Sequence, residues 1–284
     1  MPKITHTDIE IQTPFLRIAA KKWGTADGLP VIGLHGWLDN ANTFDGIAPL
    51  LPELQLVSMD LPGHGRSQHR PPGMRYHYTD YVDDVIAVAD ALQWKRFTLL
   101  GHSMGTGIAT FVAGAFPERV ERLVLIEGLG AKADGLAQAP WAMRESVMKI
   151  QNPGKTGRPR SIQALIRARS QAGRIDRRSA EILVRRSAIE NDLGAVWQSD
   201  PRLSTPAPHP VSEAFVRPFL QRLQMPVLLI IAETGLLKER PYFLDRLKLV
   251  QDLQTVWLPG NHHLHLDKPK PVARVIADFM ATNG

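Results

Sequence analysis

Two rhythms of apolar residues alternate along the chain. Short runs of four to seven apolar or β-branched residues, bounded by Gly, Pro, Asn and Asp, read as strands, and stretches with apolar residues every third or fourth position read as helices. Residues 9–13 and 15–22 predict a hairpin, and 30–34 a buried strand. A helix is predicted over 43–51 and a strand over 54–59. Residues 81–92 place Val82, Val85, Ile86 and Ala89 on one helical face. Next come a strand at 97–100, an apolar, small-residue helix over 108–116, and a strand at 122–126. The alternation resumes with a strand at 226–231, a helix at 240–250, a strand at 254–258 and a closing helix at 270–280. Strands that alternate with helices imply an α/β fold whose mostly parallel sheet is covered on both faces.

The rhythm breaks between 128 and 224. Strands stop there, arginine becomes frequent, and three helices are predicted: 141–150, one opening at Ser161 as N-cap with Ile162, Leu165 and Ile166 on a single face, and 178–189. The reading is a core domain of residues 1–127 and 225–284 carrying a helical lid, 128–224. Lys155, Arg169 and Arg186 belong to the lid's basic set, which faces only Glu145, Asp176 and Glu181 over the same span. Such a run reads first as a solvated helical face, and otherwise as a site for an anionic acyl substrate or an acidic partner. No nucleic-acid motif accompanies it, so no nucleic-acid partner is expected. Trp141, Met143 and Trp197 are candidates for lining an acyl pocket or for the lid's own core.

Composition changes this picture little. The chain has 284 residues, 44% hydrophobic and 22% charged, enough for a core that needs no staples. It has no cysteine, which excludes disulfides, thiol catalysis and Cys-based zinc sites and suits a cytoplasmic protein. Residues 1–10 lack the apolar segment of a signal peptide, and no apolar run approaches a membrane span. The net charge of +6 bears on association rather than fold.

The chemistry gathers at Leu-Leu-Gly-His-Ser-Met-Gly-Thr-Gly, residues 99–107. An apolar strand runs in, a small-residue helix runs out, and Ser103 sits between Gly101 and Gly105, the context a G-x-S-x-G turn requires. The turn forces the serine into a strained conformation and presents its hydroxyl beside the backbone N–H of Met104. A serine hydroxyl is a weak nucleophile without an adjacent base. His262, His263 and His265, which follow the last strand, are the histidines in the right chain order. The same histidines with Asp267 could instead form a metal site. The stretch 60–67 has glycines but neither a P-loop lysine nor dinucleotide-fingerprint spacing, so it reads as a structural turn.

Four pieces together, His35 to Asn40, Asp60 to Ser67, Gly101 to Gly105 and Pro259 to Pro269, make the chain resemble the α/β-hydrolase superfamily and, within it, the serine hydrolase-like proteins. The resemblance implies an eight-stranded, mostly parallel sheet with a helical lid after strand six. It aligns Asn261 with a glycine, tolerated because Asn accepts left-handed turns, and it makes His262 the base. The family's usual acid slot, after strand seven, is held here by Gly235. Some haloalkane dehalogenases carry the acid at the end of strand six, where this chain has Glu127, so Glu127 is the first choice and Glu233 the second. A carboxylate there would hold the imidazole in its working tautomer. The oxyanion hole would be the N–H groups of Met104 and Trp37.

The expected activity is that of a serine hydrolase needing no cofactor or metal, cleaving a carboxylic ester through an acyl-enzyme. Thioester, lactone and carbon–carbon bond hydrolysis are the alternatives within enzymes. A catalytically inactive small-molecule-binding protein is the alternative outside them. The partner would be a small acyl substrate, and a homodimer is one assembly such a chain could form.

Overall fold

The computed structural model describes residues 5–133, 135–152 and 157–282, so Lys155 lies outside it. The first strands, β1 (Thr7–Gln12) and β2 (Arg17–Trp23), form the expected hairpin. They are followed by β3 (Leu29–Leu34), β4 (Leu54–Met59), α1 (Asp80–Ala91), β5 (Phe97–His102), α2 (Met104–Ala115) and β6 (Val120–Ile126). An inserted segment then holds α3 (Ala139–Gln151), α4 (Ile162–Gly173), α5 (Arg177–Ser187), β7 (Ala188–Asn191), β8 (Gly194–Trp197) and α6 (Glu213–Gln221). The chain closes with β9 (Val227–Ala232), α7 (Phe243–Leu247), β10 (Leu253–Leu258), α8 (Leu264–Asp267) and α9 (Pro269–Thr282).

Eight strands make one sheet in the order β1-β2-β4-β3-β5-β6-β9-β10. β2 runs antiparallel to β1 and β4, and the other pairings are parallel. Every residue of β4, β5 and β9 is buried, so apolar residues occupy both faces of these strands, without a break in β9 and with Gln55, Ser58, Thr98 and His102 interrupting β4 and β5. On one face Val85 and Val88 of α1, Phe111 of α2 and Leu220 of α6 pack into a single core. On the other, Phe44 and Ile47 join Val272, Ile276 and Phe279 of α9. Burying one such side chain is worth about 1.5–3 kcal/mol, so two full layers hold the sheet between them.

Three elements depart from the sequence reading. The helix expected over 43–51 is two 3₁₀ turns, Ala41–Phe44 and Ala48–Leu50. Pro49 has no N–H to continue an α-helix, and Gly46 presses against the chain at His265, where a Cβ would meet the carbonyl oxygen at 2.9 Å. The helix expected over 240–250 shrinks to α7, because Pro241 drives Arg240 into extended backbone at ψ 130°. The hairpin β7–β8 replaces the end of the helix expected over 178–189, turning at Asp192 and Leu193, with Gly194 opening β8 at φ 121°.

The inserted segment also holds α6, a fourth helix. Ser212 caps it by accepting from the Phe215 N–H, and Phe219 packs on Phe111 of α2 with ring centroids 4.7 Å apart. The basic residues of the segment divide. Arg185 is exposed and pairs with Glu181 one turn away. Arg186 is buried: its Nε reaches Asp60 at 2.9 Å and its Nη1 reaches Asp8 at 2.6 Å. Arg169 binds the buried Asp39. These two arginines are ties to the core rather than part of a solvated face. Trp141 and Met143 are exposed, Trp197 packs on the small core of α4 and α5, and none of the three borders the two cavities beside Ser103. Among the described residues no helix is long and apolar enough to cross a membrane.

Candidate active site

Ser103 stands between the last residue of β5 and the first of α2 with φ 51° and ψ −113°, a region L-residues rarely occupy. The strain costs about 1–3 kcal/mol and persists only because neighbours fix the backbone. The Ser103 N–H donates to the carbonyl of Ile126 at 3.0 Å, and the turn is packed so tightly that a Cβ on Gly105 would lie 2.0 Å from the Leu34 carbonyl oxygen. The turn is therefore built from β3, β5, β6 and α2 together.

The Ser103 hydroxyl lies 2.8 Å from Nε2 of His262, and Nδ1 of His262 lies 3.0 Å from Oε2 of Glu127. A carboxylate only accepts, so Nδ1 carries the proton and Nε2 accepts from the serine. Glu127 directly follows β6 at φ 56° and is buried. Its Oε1 accepts from the Ala232 N–H and its Oε2 from the Leu236 N–H, each at 2.8 Å. Burial alone would raise this carboxyl's pKa; the bonds from His262, Ala232 and Leu236 outweigh burial and hold it below the usual value. Glu233 is exposed, and its carboxylate makes no hydrogen bond among the described residues. Gly235 explains the blank acid slot: a Cβ there would lie 2.2 Å from Oε2 of Glu127. The carboxylate from β6 fills the space a side chain after β9 would otherwise enter.

Trp37 and Met104 border the same cavity of about 380 Å³ as Ser103, His262 and Glu127. Met104 opens α2, so its N–H has no acceptor within the helix. Leu38, at φ 59°, turns the chain immediately after Trp37, whose indole N–H donates to the Leu203 carbonyl of the inserted segment at 3.2 Å.

A second charged cluster behind the first escaped the sequence reading. His102 Nε2 donates to the carbonyl of His262 at 2.9 Å, so its Nδ1 is a bare lone pair, 3.6 Å from Oδ2 of Asp39. His263 Nε2 lies 3.3 Å from the same oxygen, and Arg169 of α4 binds the other. Burial would raise the Asp39 carboxyl, but Arg169 and His263 pull it well below the usual range. Burial also pushes His102 down to about 4, against its contact with Asp39. The signal was available, since Asp39 and His102 both lie inside quoted motifs, but nothing in their spacing ties them to Arg169. Asp39, His102 and His263 bring three donor atoms within 4.8 Å of one another, yet the Arg169 guanidinium already supplies the positive charge there. Asp267 does not join the histidines as the metal reading required. It accepts from Asn261 Nδ2 at 3.0 Å and from the Asp176 N–H at 3.2 Å. Asn261 is not left-handed; its Oδ1 accepts from the His263 N–H at 2.9 Å and shapes the loop that way. In the 60–67 turn, Asp60 is a buried hub that accepts from the N–H groups of Ala41 and Arg66 and from Arg186.

The sheet order, the turn at Ser103 and the late histidine loop define the class. The chain belongs to the α/β-hydrolase fold family, whose model matches residues 30–269. Within it, the chain is similar to a serine hydrolase-like protein of Dictyostelium discoideum, 35% identical over 93% of this chain and 78% of that one. It is likewise similar to a serine hydrolase-like protein of Mus musculus, 33% identical over 97% and 96% of the two chains. A solved structure of a hypothetical protein from Pseudomonas aeruginosa superposes with a TM-score of 0.91 at 39% identity, covering 96% of this chain and 99% of that one. A thioesterase domain from the curacin biosynthetic pathway shares the fold, with a TM-score of 0.83 at 24% identity over 96% and 99% of the chains.

Proposed function

We propose that the protein is a serine hydrolase acting on a carboxylic ester or closely related acyl substrate. The observation that carries this reading is the unbroken hydrogen-bonded line from the Ser103 hydroxyl through His262 to Glu127, with the serine on a strained turn. In the proposed mechanism His262 Nε2 takes the proton as Ser103 Oγ attacks the carbonyl carbon. Glu127 stays ionised and stabilises the imidazolium. The N–H groups of Met104 and Trp37 receive the oxyanion. The imidazolium then protonates the departing alkoxide, and the acyl group remains on Ser103. His262 next draws a proton from water, which attacks the acyl-enzyme, and returns it to Ser103 as the acid leaves.

A fluorophosphonate probe is expected to label Ser103, and p-nitrophenyl esters of graded acyl length are expected to be hydrolysed by the wild type. Ser103→Ala should lower kcat by about 10⁴-fold or more. A folded protein that neither takes the label nor turns over any ester would instead support the reading as a binding protein on the same frame.

A further inference from the structure

Two adjoining cavities share the walls Trp37, Tyr78, Met104 and Lys132. The larger, about 700 Å³, runs beneath the inserted segment and is mainly apolar, with Tyr81, Leu203, Val211 and Phe215 among its walls. The smaller, about 380 Å³, contains the serine and the histidine, and its wall carries Arg240 and Arg246.

Those two arginines differ in what occupies them. Arg246 is buried and fully engaged. It bonds the Glu213 carboxylate at 2.6 Å and the carbonyls of Leu129 and Ala131, and lies 3.7 Å from the centre of the Tyr242 ring. Arg240 is half-buried, and its guanidinium makes no hydrogen bond or ion pair with any described residue. Glu127, the carboxylate on the same cavity wall, is already bound by His262 and two backbone N–H groups, and Glu213 by Arg246. The cavity wall therefore holds a planar fork of donors with no anion supplied by its described surroundings. A guanidinium in that state matches the two-oxygen geometry of a carboxylate, and the bond is strengthened by partial removal from water.

We infer that Arg240 recognises an anionic group at the far end of the acyl chain. The substrate class is then an ester with a carboxylate-bearing acyl arm in the small cavity and an apolar alcohol arm in the large one. This inference rests on the serine hydrolase reading for which bond is cut, but the binding preference can be measured without any cutting.

Ser103→Ala protein is titrated calorimetrically with the monophenyl esters of succinate, glutarate and adipate. Each is paired with an uncharged ester in which an isopropyl group replaces the carboxylate. At least one charged ester is expected to bind about tenfold or more tightly than its uncharged partner. Adding Arg240→Gln is expected to bring that ratio close to one, and Arg240→Lys, which keeps the charge but not the fork, to restore part of it. Equal affinities, including no measurable binding of either ester, overturn the inference, as does a preference that survives Arg240→Gln. The hydrolase reading fails separately, if wild-type protein binds the charged ester yet neither cleaves it nor takes a fluorophosphonate label.

Discussion

At the scale of single residues, Glu127 and Gly235 are two halves of one arrangement. The sequence shows a carboxylate at the end of one strand and a glycine where a carboxylate was looked for, but not that they concern the same few cubic ångströms. Only the fold brings Gly235 against Glu127, where a Cβ would lie 2.2 Å from Oε2. Glu127→Gln is expected to lower kcat by about 10³–10⁴-fold, because the amide can no longer fix the imidazole tautomer. Glu233→Gln is expected to change kcat less than about twofold. The reverse result in a side-by-side assay would move the acid to Glu233. The spatial equivalence has its own test. Glu127→Gly should be nearly inactive, and adding Gly235→Asp is expected to return at least about tenfold of the lost rate. No gain from the second change would show that the two positions do not share one function. Asp39 marks the limit of legibility at this scale: its motif was visible, but its partner Arg169 lies on a separate helix.

At the scale of elements, strands and long helices were readable because burial on both faces leaves a dense apolar stretch, unbroken in β9. The failures lie where local chemistry cuts a pattern short. Pro49 sits where an α-helix over 43–51 would need its N–H, and Pro241 keeps Arg240 extended so that α7 starts only at Phe243. The β7–β8 hairpin has strands of four residues, too short for a two-residue period to declare itself. How elements join is also decided by pairs the pattern does not show. Arg169 ties α4 to Asp39, beside the loop that carries His262. Removing the cation leaves a carboxylate buried without its ion-pair partner, which costs about 3–5 kcal/mol. Arg169→Leu is therefore expected to lower the urea midpoint clearly, and Arg169→Leu with Asp39→Asn to recover most of the difference. A single variant as stable as the wild type would mean the tie contributes nothing net.

At the scale of the molecule, the parallel order of the sheet and the insertion after β6 give one frame with its chemistry at one edge. Inside it, the buried imidazoles of His35, His64, His102 and His265 are held neutral, His265 with its pKa well below the usual value. Burial pushes His35 and His102 down to about 4 and His64 to about 3. The unfolded chain titrates these histidines near 6.5, so below that pH it binds more protons than the folded chain. Their contribution to stability is complete above about 6.5 and is lost as pH falls toward 4. Each costs about 1.4 kcal/mol per pH unit over that range. Thermal midpoints measured from pH 7.5 to 4.5 are expected to fall steadily, and a flat profile would contradict the neutral assignment.

Both ends of the hydrogen-bonded line through His262 stand on L-residues with positive φ, 51° at Ser103 and 56° at Glu127. Backbone strain alone would favour glycine at both, since only glycine takes that backbone without penalty. Ser103→Gly is accordingly expected to melt higher than Ser103→Ala, by roughly 2 °C for each kcal/mol of relieved strain, although neither carries the hydroxyl. Equal melting points would mean that the turn holds no recoverable strain. With side chains kept at both positions, the backbone strain of the site is concentrated on the two residues that flank the imidazole.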